Sequence, residues 1–252
     1  MPRVLAFVLL AALGFAGAPA LALEVDLQLV LAVDVSRSID DQEFALQRQG
    51  YAEAFKHPAV LEAIQANPHK AIAVTLIEWA GSDFQKVQVP WTVVSDEESG
   101  NLFAELLLAQ PRAFYGWTSV SGAIDFSVPL FARSPHSSMR RVIDVSGDGP
   151  NNSGRPASDA RDDAVKLGIT VNGLVIMNDS PTPGSFFRMP QAPLDEWYRD
   201  NVIGGPGAFV IAIDDFESFA YAIRNKLLKE IAANPTGVTI AEARVLYPQD
   251  RK

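Results

Sequence analysis

The chain has 252 residues, 48% of them hydrophobic, and carries a formal charge of −9 with no cysteine. This length and composition are those of one globular domain with a large core. The negative charge argues against binding to nucleic acids or to anionic membranes, and the absence of cysteine excludes disulfides and thiolate metal sites.

The first 22 residues have the organisation of a secretory signal peptide. A positive start at Met1–Arg3 precedes an apolar run at Val4–Ala16, and small residues suited to cleavage follow at Ala18–Ala22. We therefore predict cleavage near residues 20–22 and export of the mature chain to the periplasm or the medium. An uncleaved anchor or a first buried strand is the alternative. No later stretch reaches the roughly 18 apolar residues of a spanning helix, so no membrane span is expected after cleavage.

Apolar periodicity predicts strands that alternate with helices along the mature chain. The predicted strands are residues 25–33, 71–80, 86–94, 140–146, 170–177 and 208–213. The predicted helices are residues 38–57, 60–66, 95–108, 119–132, 158–167, 194–202 and 216–231.

The third predicted strand is expected at an edge of the sheet. Only about five residues separate it from the second strand, which requires an antiparallel hairpin. It also contains Pro90, which edge strands tolerate. The predicted fold class is therefore α/β and Rossmann-like, doubly wound, with a mainly parallel six-stranded sheet, one antiparallel edge strand and helices on both faces.

We predict one domain over residues 23–233, followed by a tail at 234–252 that the sequence does not place. An insertion rich in proline and glycine at 178–207 interrupts the domain. It carries an apolar and basic group, Phe186, Phe187, Arg188 and Met189. These side chains either flank a partner surface or cover the domain's own core.

Oxygen-bearing side chains follow two predicted strands and precede one helix. Asp34, Ser36 and Ser38 come after the first strand, Thr118 lies before the fourth predicted helix, and Asp148 follows the fourth strand. The carboxyl ends of parallel strands meet at one edge of an open α/β sheet, where ligands bind. Mg²⁺ takes oxygen ligands and needs only one or two carboxylates, so the pattern predicts a divalent metal site.

Structural roles are the alternative for each of these residues taken alone. Ser38 and Thr118 each stand near a helix start and would serve as N-caps. Asp34 would cap a loop, and Asp148 followed by glycine is an ordinary turn dipeptide. The metal interpretation rests on their joint occurrence at the strand ends and helix start that the fold requires.

This pattern resembles the von Willebrand factor A domain, whose metal-ion-dependent adhesion site (MIDAS) combines D-x-S-x-S, a threonine in a later loop and an aspartate before a glycine. The sequence also resembles a branch of exported bacterial proteins with this domain, over residues 26–231. The resemblance implies that three hydroxyls and two carboxylates hold Mg²⁺ or Mn²⁺, the carboxylates directly or through water. It implies that an acidic side chain of a protein partner completes the coordination. The implied metal-site residues are Asp34, Ser36, Ser38, Thr118 and Asp148.

Two positions depart from the family pattern. Asp144 lies inside the fourth strand, where relatives usually carry an aliphatic residue, and a buried carboxylate there needs a partner or a raised pKa. We expect it to be a structural residue; a place just beneath the ion is the alternative. The second strand ends with Glu78-Trp79-Ala80, where an aromatic residue followed by serine is commoner.

The function expected from the sequence is a non-enzymatic, metal-dependent binding module. An enzyme that uses Asp34 as a phosphoryl acceptor is the first alternative, but such phosphatases usually have a second aspartate where Ser36 stands. The histidines, His57, His69 and His136, adjoin prolines and form neither a convincing catalytic base nor a zinc site. The second alternative is a scaffold that keeps the fold without using the ion.

Overall fold

The computed structural model of the chain describes residues 22–177 and 193–232, together with a short strand at 243–244. Most of the predicted signal peptide, at residues 1–21, lies outside the described residues. The same holds for Phe186–Met189 of the insertion and for most of the tail. No helix in the described ranges is long and apolar enough to cross a membrane.

A seven-stranded sheet with the order β3-β2-β1-β4-β5-β6-β7 forms the centre of the molecule. The strands are β1 Leu27–Asp34, β2 Ile72–Trp79, β3 Gln85–Val94, β4 Arg141–Gly147, β5 Thr170–Ile176, β6 Val210–Ile213 and β7 Ala243–Arg244. Among the described strands, only β3 is antiparallel to its neighbour, and it lies at the edge as predicted. The predicted six strands are confirmed, and β7 adds a seventh strand, parallel to β6, in the tail that the sequence did not place.

Helices cover both faces of the sheet. They are α1 Asp41–Lys56, α2 Pro58–Gln65, α3 Glu97–Leu108, α4 Val120–Arg133, α5 Ala157–Lys166, α6 Leu194–Asn201 and α7 Phe219–Ala232. Helices α1, α2, α3 and α7 share one apolar cluster with the sheet, and α4, α5 and α6 share another. Because both faces are covered, every residue of β1 and of β2 is buried, as in other parallel sheets.

The alternation of side chains along β4 places its two buried polar residues, Asp144 and Ser146, on the same face of the sheet. Asp144 points to the α7 face, where the Nζ of Lys226 lies 2.7 Å from its Oδ1. Ser146 points the same way and accepts a hydrogen bond from the Tyr51 hydroxyl of α1. Lys226 is therefore the partner that a buried Asp144 requires, and Asp144 is a structural residue of the core.

Candidate metal centre

The five predicted metal-site residues meet at the carboxyl end of the sheet. Ser38 Oγ donates a hydrogen bond to Asp148 Oδ1 at 2.6 Å and lies 3.1 Å from Ser36 Oγ. The Thr118 hydroxyl donates to Ser36 Oγ at 3.4 Å, and the Ser36 amide donates to Asp34 Oδ1 at 2.7 Å. The structure thus brings all five together, and their role as metal ligands stays a prediction.

The loop after β1 is held by an arginine that the sequence analysis missed. One guanidinium nitrogen of Arg112, Nη2, donates to the carbonyl oxygens of Val35 (2.9 Å), Ser36 (2.9 Å) and Ile39 (2.8 Å). The guanidinium also stacks 4.0 Å from the centre of the Tyr115 ring. The guanidinium group is planar and carries several N–H donors, so it can bind several carbonyl oxygens at once. Arg112 therefore fixes the backbone that carries Ser36 and Ser38.

The loop that carries Thr118 is tied to the loop after β4. The Thr118 amide donates to Asn152 Oδ1 at 2.9 Å, and the Asn152 amide donates back to the Thr118 carbonyl oxygen at 2.9 Å. The Ser119 amide donates to the Ala80 carbonyl oxygen at the end of β2. These bonds hold Thr118 at the carboxyl ends of β2 and β4, and its hydroxyl reaches Ser36 in the loop after β1.

The alternative that Ser38 and Thr118 are helix N-caps is wrong. Helix α1 is capped by Asp40, whose Oδ1 accepts from the Glu43 amide at 2.8 Å while Glu43 accepts from the Asp40 amide at 2.8 Å. Helix α4 is capped by Ser119, whose Oγ accepts from the amide of its third residue. Because neighbouring residues cap the helices, the Ser38 and Thr118 hydroxyls remain available to the site.

Glu78 at the end of β2 has a structural role. Its Oε1 forms an ion pair with Arg48 of α1, and its Oε2 accepts hydrogen bonds from Gln88 Nε2 at 2.7 Å and from the Ala113 amide at 2.6 Å. The last bond fixes the segment next to Arg112. The glutamate that departs from the family pattern thus supports the residue that holds the serine loop.

Burial dominates the electrostatics of the two site carboxylates. Asp34 is fully buried, and this burial together with the charge of Asp148 raises the pKa of Asp34 well above its ordinary value. Burial also raises the pKa of Asp148, against the hydrogen bond from Ser38. Asp34 Oδ2 is buried and accepts no hydrogen bond from any described residue. Two adjacent acids and an unused oxygen favour a cation between them.

The donor set fits a divalent metal that prefers oxygen. The described residues contain no cluster of three or more histidine, cysteine, aspartate or glutamate side chains, so any site here uses hydroxyls beside its two carboxylates. Mg²⁺ and Mn²⁺ accept such ligands and keep several waters. Asp34, Ser36, Ser38, Thr118 and Asp148 would hold the ion.

Exposed aromatic rings border the site. Trp117, next to Thr118, is 71% exposed, and Tyr115 is 60% exposed. The Tyr115 hydroxyl donates to Asp41 Oδ1 at 3.3 Å, which places the ring beside the start of α1. These two exposed rings beside the polar cluster are accessible to a binding partner.

Comparison with known proteins identifies both a sequence family and a fold. The profile of a family described as "Protein of unknown function (DUF1194)" matches residues 24–235. No curated protein matches this chain in sequence. Among solved structures, a von Willebrand factor type A protein from Catenulispora acidiphila is similar with a TM-score of 0.56 at 15% identity, over 82% of this chain and 43% of that chain.

Two further structures are similar. The pilus adhesin SpaC from Lactobacillus rhamnosus GG has a TM-score of 0.60 at 12% identity, over 82% of this chain and 31% of that chain. Proximal thread matrix protein 1 from the mussel byssus, with a zinc-occupied MIDAS motif, has a TM-score of 0.52 at 13% identity, over 83% of this chain and 46% of that chain. The chain spans less than half the length of these proteins. The likeness confirms the predicted von Willebrand factor A fold.

Proposed function

This chain belongs to the DUF1194 family and has the von Willebrand factor A fold, and on that premise we propose that it is an exported, metal-dependent binding module. The site holds Mg²⁺ or Mn²⁺ through Asp34, Ser36, Ser38, Thr118 and Asp148. A carboxylate from a protein partner completes the coordination. The module binds and does not catalyse a reaction.

The observation that carries this proposal is the unpartnered Asp34 Oδ2. It is buried beside three hydroxyls and the Asp148 carboxylate, and none of these groups donates a hydrogen bond to it. A buried carboxylate oxygen without a donor costs free energy, and a bound cation removes that cost. Neutral hydroxyl ligands leave the ion electrophilic, which favours an anionic ligand at the open position.

The rim of the site supports an acidic partner. Arg37, between the two serines, is exposed, as are Tyr115 and Trp117. A cationic and aromatic border on a chain with a formal charge of −9 concentrates attraction for a carboxylate at this one place.

The positions of the histidines support a function without catalysis. His57 caps α2 at the far end of α1 from the serines. The His69 amide donates to Asp26, and the His136 carbonyl oxygen accepts from Gln28, both at the amino end of β1. All three imidazoles therefore lie away from the carboxyl end of the sheet, where a general base would be needed.

Calorimetry with MgCl₂ and MnCl₂ tests the metal site directly. We expect the wild-type protein to bind one ion and the Asp34→Asn variant to lose binding, because a neutral amide replaces a buried anionic ligand. Asp26→Asn is the matched control, since Asp26 lies at the opposite end of β1 and accepts from the His69 and Ala71 amides. Absence of binding to the wild type, checked by equilibrium dialysis, or equal affinity of Asp34→Asn, would contradict the proposal.

Capture of partners from a periplasmic extract tests the second half of the proposal. We expect the wild-type protein to retain a partner in the presence of Mg²⁺ and to release it on addition of EDTA, and the Thr118→Ala variant to retain less. Retention that is insensitive to EDTA and to both site substitutions would favour the metal-independent scaffold.

A further inference from the structure

Two glycines open a slot in the sheet beside the candidate metal centre. Gly147 of β4 and Gly173 of β5 lie on the same face, because Gly173 pairs with Val145, two residues before Gly147. The slot is occupied by Tyr198 of α6. A Cβ on Gly173 would lie 3.1 Å from Tyr198 Cδ1, and a Cβ on Gly147 would lie 2.7 Å from its hydroxyl oxygen. The absence of both side chains lets the tyrosine reach the end of β4.

Two unpartnered oxygens meet at the inner end of this slot. The Tyr198 hydroxyl is fully buried and bonds to no described residue, and the same is true of Asp34 Oδ2. The Cβ position of Gly147 that lies 2.7 Å from the hydroxyl lies 3.0 Å from Asp34 Oδ2, so both oxygens flank one point. The hydroxyl is a donor, and Asp34 Oδ2 is an acceptor with two lone pairs, so it can accept this hydrogen bond and still face a cation. Buried polar groups in native proteins rarely stay unpaired, which indicates that the two act together.

We propose that Tyr198 is a positioning residue of the metal centre, whose hydroxyl donates to Asp34 Oδ2 through one buried water. This inference rests on the proposed function. The Ser36 amide already holds Asp34 Oδ1, so a donor at Oδ2 would fix the rotation of the carboxylate and keep both its oxygens oriented. Hydrogen bonds to a metal-ligating group set its orientation and typically change metal affinity 10- to 100-fold.

The contribution of α6 extends the site beyond the three segments of the sequence motif. The C-terminal end of α6 is anchored to its neighbours, because Arg161 of α5 donates to the Ile203 carbonyl oxygen at 2.7 Å and Gly204 forms a β-bridge with Val171 of β5. The ring is further packed edge-on against Trp197. The hydroxyl is therefore held by the helix and the slot together, as a positioning residue requires.

Tyr198→Phe separates a positioning role from a packing role, because it keeps the ring and removes only the hydroxyl. We expect the Kd for Mn²⁺, measured by calorimetry, to rise about tenfold or more. We expect the urea midpoint of the metal-free variant to stay close to that of the wild type. Tyr51→Phe is the control: Tyr51 is also fully buried, but on the opposite face, with its hydroxyl on Ser146 at 3.3 Å. Its Kd should stay within about twofold of the wild-type value.

The outcomes distinguish this inference from the function on which it rests. A wild-type protein that binds Mn²⁺ while Tyr198→Phe binds equally well would overturn the role of Tyr198 and leave the proposed function intact. A lower urea midpoint with an unchanged Kd would identify Tyr198 as a packing residue only and would also overturn the inference. A wild-type protein that binds neither Mg²⁺ nor Mn²⁺ would overturn both.

Discussion

Asp144, Lys226 and Glu230 form a buried ionic triad between β4 and α7. The ammonium of Lys226 contacts both carboxylates, and Asn172 Nδ2 donates to Glu230 Oε1 at 2.9 Å. Tyr51 of α1 faces the same cluster, and burial together with the charge of Asp144 raises its pKa well above the ordinary value. Two acids share one cation here, so the triad carries an excess negative charge in the core whenever both acids are ionised.

This excess charge predicts a pH dependence of stability. Burial raises the pKa of Asp144 from 3.8 to about 7, with Lys226 opposing and Glu230 adding to the shift. Between about pH 4 and pH 7 the folded chain keeps a proton that the unfolded chain has released, so this group's contribution to stability falls as pH rises through that window and levels off above it. At roughly 1.4 kcal/mol for each pKa unit, the fall is on the order of 4 kcal/mol.

Urea denaturation of the wild type and of Asp144→Asn across this range measures the effect. We expect the free energy of unfolding of the wild type to fall relative to that of the variant as pH rises from about 4 to 7. A pH-independent difference would contradict the assignment. Lys226→Met is a second variant for comparison: it removes the cation of the triad instead of one of its acids, and so leaves two buried carboxylates without a cation. At pH 8 it should lose about 3–5 kcal/mol of stability, more than Asp144→Asn loses.

At the residue scale, the sequence predicts the five candidate ligands because their motif is local and its elements are separately visible. It does not predict Arg112 or Tyr198. Arg112 lies in an irregular segment between α3 and α4 and acts on backbone carbonyls, which leave no pattern in the side chains. Tyr198 reaches Gly147 only because β4, β5 and α6 pack together. Gly147 and Gly173 lie in buried strands, where glycine is destabilising, and they are the features of the sequence that could have indicated this contact.

At the element scale, the N-cap of α1, Asp40, lies two residues beyond the end of the D-x-S-x-S motif at Ser38. Its capping box joins Asp40 to Glu43, and we expect Asp40→Ala to lower the free energy of unfolding by about 1 kcal/mol. Metal affinity should stay close to that of the wild type, because Ser38 is held by Asp148 and the Ile39 carbonyl oxygen by Arg112.

The N-terminus of α3 supplies a matched control for this prediction. Asp96 accepts from the Ser99 amide at 2.9 Å in the same capping arrangement. Asp96→Ala should therefore cost a similar amount in urea denaturation, about 1 kcal/mol, and leave metal affinity unchanged. A large loss of Mn²⁺ affinity in Asp40→Ala alone would show that the helix start, and not only the loop, sets the position of Ser38.

The elements themselves were predictable to within a few residues, but their caps were not. Serine and aspartate are both strong N-caps, and Ser38 and Asp40 stand two residues apart, so propensity does not choose between them. Glu43 determines the choice, because it lies three residues after Asp40 and its carboxylate accepts a hydrogen bond from the Asp40 amide. The edge position of β3 was predictable from Pro90 and the short hairpin, whereas β7 has two residues and no periodicity to detect.

At the scale of the whole molecule, the strand order explains why the site lies where it does. β1 lies between β2 and β4 and is parallel to both. The chain leaves β1 towards α1 on one face and leaves β4 towards α5 on the other. Connections that diverge from adjacent parallel strands open a crevice at their carboxyl ends, which is where ligands bind in such sheets. Alternating strands and helices predict this class of crevice before any side chain is considered.

The site unites three segments that are distant in sequence, so metal binding should stabilise the whole fold. Residues 34–38, 118 and 148 approach each other only in the folded chain, and the unfolded chain offers no comparable site. Mg²⁺ at about 100 times its Kd should then add about 2.7 kcal/mol to the free energy of unfolding. For a domain of this size that corresponds to a rise in Tm of roughly 5–10 °C.

Thermal unfolding with and without MgCl₂ measures this rise, and Asp34→Asn should not show it. Because the chain has a formal charge of −9, added salt also stabilises it by screening repulsion. NaCl at the same ionic strength is therefore the necessary control. If NaCl reproduces the rise in Tm, or if Asp34→Asn shows it as well, the stabilisation comes from screening of the net charge and not from the site. If the rise requires Mg²⁺ or Mn²⁺ and the intact site, metal binding stabilises the folded chain.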